Sequence, residues 1–169
     1  MLVAATAGCS SSSGGTAKVS TGSSPTQTAK PTGPPCKPIA TNPPEADVPF
    51  VPPVPYAVTS LGVKDIKIGT GPAATAGSTV EVRYVGVGCS TGKVFDTNFT
   101  AGGQDFPVTP LGQAPVIDGW NQGLIGIHQG GTRELVIPPS LGYGAQGSPP
   151  VIGPHETLIF VVQADKVTP

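Results

Sequence analysis

Apolar and polar side chains alternate through residues 79–87 (TVEVRYVGV). Val80, Val82 and Tyr84 fall on one side and Glu81, Arg83 and Val85 on the other, the period-two pattern of a half-buried strand. Residues 62–68 (GVKDIKI) read as a second strand, closed by Gly69-Thr70-Gly71-Pro72. Thr91-Gly92 marks a turn before Val94-Phe95, and Phe106-Pro107-Val108 is a short extended piece. Residues 132–137 (TRELVI) form a strand stopped by Pro138-Pro139, and residues 157–167 (TLIFVVQADKV) form the last. The spacing predicts a single helix over 116–127 (VIDGWNQGLIGI), where Val116, Ile117, Trp120, Leu124 and Ile127 make an apolar stripe. Gly119, Gly123 and Gly126 each weaken that helix by about 1 kcal/mol, so packing must hold it. The sum is an α+β domain: an antiparallel sheet with one short helix across it.

Composition divides the chain near residue 56. The 169 residues include 24 Gly and 21 Pro, a proportion often met in disordered chains. Eleven of the prolines but only five of the glycines precede residue 56. Residues 1–55 are Ser/Thr/Gly-rich, then Pro-rich, and read as a disordered tether, flexible first and stiffer later. Residues 56–169 hold eight of the nine aromatics and suit one compact domain. A net charge of −1 excludes a nucleic-acid binder running on bulk basic charge. No apolar run approaches the roughly 18 residues of a membrane-crossing helix.

Cysteines add two expectations. Ala7-Gly8-Cys9 followed by serines resembles a bacterial lipobox, although Thr6 and a short apolar stretch depart from the pattern. That resemblance implies a lipidated Cys9 and an extracytoplasmic protein held to the cell membrane only by its lipid. Cys36 and Cys89 are then left as an even pair. They are either two unrelated thiols or a disulfide worth about 3–4 kcal/mol in the chain-entropy view. No C-x-x-C occurs, and His128 and His155 stand far from any cysteine, so no metal site is indicated.

Templates for nucleophilic, phosphate-binding and zinc chemistry are missing: no G-x-S-x-G, P-loop, G-x-G-x-x-G or H-E-x-x-H occurs. What the domain carries is a series of short blocks. Val82-Arg83-Tyr84-Val85-Gly86 is followed by Gly92-Lys93-Val94-Phe95-Asp96-Thr97-Asn98, then Pro110-Leu111-Gly112 and Val116-Ile117-Asp118-Gly119-Trp120. Gly130-Gly131-Thr132-Arg133 and Leu141-Gly142-Tyr143-Gly144-Ala145 come next, and Pro154-His155-Glu156-Thr157-Leu158-Ile159-Phe160 closes the series. In this order and spacing the chain resembles the FKBP family of peptidyl-prolyl cis/trans isomerases over about residues 60–167.

The resemblance implies a five- to six-stranded antiparallel sheet wrapped around one short helix. It places Tyr84, Phe95, Asp96, Trp120, Tyr143 and Phe160 in a proline pocket as catalytic residues. Phe106, Val108, Val116, Ile117, Val151 and Ile152 fall at substrate-binding positions, with the Ile117 N–H donating to a substrate carbonyl. It implies no cofactor, a monomer, proline-containing polypeptide clients, and macrolides such as rapamycin or tacrolimus as ligands. Ser148, where the family often has histidine, and the Phe106/Val108 stretch depart from the pattern. They leave a second reading open, a proline-peptide or partner binding module with little turnover. Without the motif order, Trp120, Tyr84 and Phe160 would read as ordinary core.

Overall fold

The computed structural model describes residues 31–39, 49–100 and 102–169. Cys9 and the rest of the first thirty residues, where the lipobox and most of the tether were expected, lie outside them.

Strands β3 (Gly62–Lys67), β4 (Thr79–Gly88), β5 (Val94–Thr97), β6 (Phe106–Val108), β7 (Thr132–Ile137) and β8 (Leu158–Thr168) form one antiparallel sheet. The order is β3-β7-β8-β4-β5, with β6 also on β4. The centre is the β4–β8 pair, running from Thr79 opposite Thr168 to Gly88 opposite Leu158 with one register shift between Glu81 and Val82. The other edge of β4 is shared: Val85–Val87 pair with β5 and Val80–Val82 with β6.

The helix α1 spans only Asp118–Gly123, shorter than the apolar stripe suggests. Leu124 caps it, donating to the Trp120 carbonyl, and Gly126 turns the chain with φ +79°. Leu124 and Ile127 still bury their side chains, but from a turn. The glycines explain how close the helix lies. A Cβ on Gly119 would sit 2.5 Å from Ile137 Cγ2, and one on Gly123 2.6 Å from Leu135 Cδ2. The helix therefore rests with bare backbone on the side chains of β7, and Trp120 is buried in the same core.

Described residues upstream of position 56 also pack against the sheet. Pro31–Pro35 forms β1, paired with β2 (Tyr56–Val58) in a small separate sheet. Cys36 is bonded to Cys89, so the disulfide alternative holds. The Cys36 N–H donates to the Pro55 carbonyl, and that of Lys37 to the Cys89 carbonyl. Val51 is 1 % exposed. Prolines hide such a strand because they donate nothing to a ladder and are tolerated only at an edge. Together these residues form a strap over the sheet face that points away from α1.

Arg133 and Glu134 are both buried on β7 and differ in partners. Arg133 is satisfied by Asp65 and by the carbonyls of Gly123 and Ile125. Glu134 keeps one carboxylate oxygen, Oε1, without a hydrogen-bond partner. Burial raises its pKa above the ordinary glutamate value, and Lys64, opposite it on β3, pulls it back only in part. An acid whose pKa is raised on folding favours the native state below its unfolded pKa, and that advantage is lost as pH climbs through the folded value. Glu134→Gln is thus expected to change stability little near pH 4 and to raise it by about 0.5–2 kcal/mol at pH 7. Urea melts at the two pH values check this; an equal effect at both would assign the gain to something other than the charge.

Candidate functional site

Strand alternation builds the site. Tyr84 and Gly86 on β4, Phe95 on β5 and Phe160 on β8 turn toward the helix. Trp120 rises from α1 to meet them, 5.0 Å from the Tyr84 ring and 5.3 Å from the Phe160 ring, each edge-to-face. Phe95 meets Phe160 at 5.5 Å and 90°. Phe106 at the end of β6 closes the group, 6.1 Å from Trp120. These T-shaped contacts suit the ring quadrupoles and lock the rings mutually.

The rings surround an open cavity of about 260 Å³ lined by Tyr84, Phe95, Asp96, Phe106, Pro115, Val116, Ile117, Trp120, Tyr143 and Phe160. Nine of these were expected at the site, and Pro115 was not. The Tyr84 hydroxyl donates to Asp96 Oδ2 at 2.7 Å. Burial first, then that hydrogen bond and the Asp96 charge, push the Tyr84 pKa well above its ordinary value, so the phenol stays protonated. Ile117 precedes the helix with φ −59° and ψ 147°, and its own N–H has no partner among the described residues. Tyr143 stands half-exposed at the rim. The wall is apolar and aromatic, with one carboxylate and a hydrogen-bonding edge. It offers no nucleophile paired with a base, so it suits binding and reshaping a ligand rather than covalent attack. Among the described residues no group of three His, Cys, Asp or Glu side chains converges as metal ligands.

Three expected positions lie elsewhere. Val108 is fully buried in the core and does not line the cavity, a correction to its placement at the substrate-binding rim. It shares a face with Phe106 but sits deeper, opposite Val80 rather than Val82. Val151 and Ile152 line a smaller neighbouring cleft of about 130 Å³, which meets the main cavity at Phe95.

Two supporting residues were missed. Asn121, 8 % exposed, accepts from the N–H groups of Gly112 and Ala114 and donates to the carbonyls of Ala114 and Val116. It fastens the helix to the loop that carries Pro115, Val116 and Ile117. Asn98 accepts from the Tyr84 N–H and donates to the carbonyls of Val82 and Gln104, filling the gap between β4 and the chain beyond β5. For Asn121 the available signal was an amide beside Trp120 in an otherwise apolar stripe.

Comparison with known proteins identifies the family. A family model described as FKBP-type peptidyl-prolyl cis-trans isomerase matches residues 71–164. The "FK506-binding protein" of Streptomyces anulatus is 50 % identical over 106 residues, which are 60 % of this chain and 81 % of that one. The "46 kDa FK506-binding nuclear protein" of Spodoptera frugiperda is 43 % identical over 63 % of this chain, and the match spans only 25 % of that longer protein. The crystal structure of AtFKBP13 superposes with a TM-score of 0.57 at 32 % identity, over 64 % of this chain and 93 % of that one. On sequence and on fold alike, this chain belongs to the FKBP-type peptidyl-prolyl cis-trans isomerases.

Proposed function

We propose that the chain accelerates rotation about X–Pro bonds in exported proteins, using the aromatic cavity and no covalent chemistry. The observation that carries this is the cage of Tyr84, Phe95, Trp120 and Phe160 beside the unpartnered Ile117 N–H. Rotation about a peptide bond faces a barrier of roughly 18–20 kcal/mol, so uncatalysed X–Pro exchange takes tens of seconds. Nothing need be bonded or cleaved; the catalyst must favour the twisted amide over both planar forms. Twisting removes resonance and leaves the amide less dipolar, so a dry aromatic wall penalises the planar states more. The Ile117 N–H and the Tyr143 hydroxyl hold the neighbouring carbonyls, and Tyr84, fixed by Asp96, gives one wall a set position. A differential of about 4–6 kcal/mol yields a thousand- to ten-thousandfold gain.

The export context rests on two supports. The Cys36–Cys89 disulfide suits an oxidising compartment, and the Ala7-Gly8-Cys9 sequence suits lipid attachment. On this reading the protein is a lipid-anchored monomer that meets unfolded proline-containing chains outside the membrane. The mass of the mature N-terminus tests it: acylated Cys9 supports the anchor and an intact Met1 removes it. The names of the relatives add macrolides such as FK506 as candidate ligands of the same cavity.

A coupled proline-peptide assay decides the activity. Wild-type protein is expected to isomerise the peptide well above the buffer rate. Phe95→Ala should lower kcat/KM by about 10- to 100-fold, and Tyr143→Phe by about 3- to 10-fold, the loss of one hydrogen bond. Tight peptide binding at the buffer rate would instead mark a binding module.

A further inference from the structure

The strands that build the cavity are two-faced. Beside Tyr84, Phe95 and Phe160, their neighbours Val85, Val94 and Ile159 point the other way, into a second apolar cluster. The strap covers that cluster with Val51, Ile39 and Val54. Strand β5 is the most weakly held of the three. It has four residues, it pairs with β4 along one edge, and the pairing is irregular at Gly86/Val87. Yet it carries Phe95 and Asp96.

The strap is tied to the turn that leads into β5. Cys36 is bonded to Cys89, and the Lys37 N–H donates to the Cys89 carbonyl at 2.8 Å. The Pro38 carbonyl lies so close to Gly92 that a Cβ there would collide with its oxygen. The opposite side of the turn is held by Glu156, which accepts from the Ser90 N–H and hydroxyl.

We infer that the strap is a positioning device for the cavity: by backing β5 through Cys36 and Val51, it sets where Phe95 and Asp96 stand against Phe160 and Tyr84. Neither Cys36 nor Val51 lines the cavity. Both are positioning residues. The kinetic part of this inference rests on the cavity being the proline site; the mechanical part does not.

The experiment uses the full chain, the Cys36→Ser/Cys89→Ser pair and Val51→Ala, which leaves the disulfide in place. Hydrogen exchange is compared between β5 and β7, which β4 and β8 separate in the sheet. Exchange at residues 94–97 is expected to quicken about tenfold or more in both variants while β7 stays unchanged. KM for a proline peptide should rise about 3- to 10-fold with kcat within about twofold, because a misplaced wall weakens binding before chemistry. Reducing and then reoxidising the wild-type chain should raise KM and restore it. Equal quickening in β5 and β7 would reduce the strap to general stability, and unchanged β5 exchange with the disulfide gone would overturn the inference outright. If wild-type protein binds peptide without turnover, the isomerase reading fails, and Kd takes the place of KM while the exchange contrast still decides the positioning role.

Discussion

Replacing Gly86 by alanine is expected to lower kcat/KM for a proline peptide by about 10- to 100-fold while the protein still folds. Gly86 lies on β4 beneath the point where two walls of the cavity meet. A Cβ there would stand 2.7 Å from Phe160 Cε1 and 2.7 Å from Phe95 Cζ. Those rings already touch edge-to-face, so neither can retreat without disturbing the other or Trp120. Overpacking of this kind costs about 1–3 kcal/mol. The strain falls where ring positions set the shape of the cavity, so it is felt in the reaction more than in the fold. Parallel urea melts and peptide kinetics separate the two effects. Unimpaired turnover in Gly86→Ala would remove the Phe95–Phe160 corner from the reaction.

The second large effect is on stability. Arg133→Met should lower the unfolding free energy by about 3–5 kcal/mol, as when one partner of a buried ion pair is removed. The Arg133 side chain is 5 % exposed. Its Nε donates to Asp65 Oδ1 at 2.6 Å, and a second nitrogen to Oδ2 at 3.2 Å. The remaining terminal nitrogen donates at 2.9 Å to both the Gly123 and the Ile125 carbonyls. One guanidinium thus joins the edge strand β3, through Asp65, to the last turn of α1. Methionine fills much of the space but leaves the carbonyls and a carboxylate without a donor. Adding Asp65→Asn should recover part of the loss, since the unmatched charge goes with it. Denaturant melts of the single and double variants measure this, and a loss below about 1 kcal/mol would show that water replaces the arginine.

Much of the sheet was legible because burial is one-sided where alternation is clean. Residues 79–87 and 132–137 were placed within a residue of β4 and β7. The helix was overextended because Leu124 and Ile127 continue the apolar stripe in positions that a turn reaches equally well. The strap was illegible for a physical reason: proline removes the donors and the alternation by which strands are read, so only its cysteine hinted at order. At the site, motif order gathered side chains that periodicity alone would assign to the core. It misplaced Val108, since a repeat of two tells the face of a strand and not the depth along it. Asn121 escaped notice because its four hydrogen bonds go to backbone that a sequence does not position.

The Cys36–Cys89 bond also alters how the chain bears a load. Its ends lie 53 positions apart, so residues 36–89 form a covalently closed ring. A pull applied upstream of Cys36 crosses that bond and enters the domain at the end of β4, the strand zipped to β8 along its whole length. The ring is spared the tension. A single proteolytic nick anywhere within it would open the circle without parting the protein, so whatever lies upstream would remain joined to the aromatic cavity after one cut.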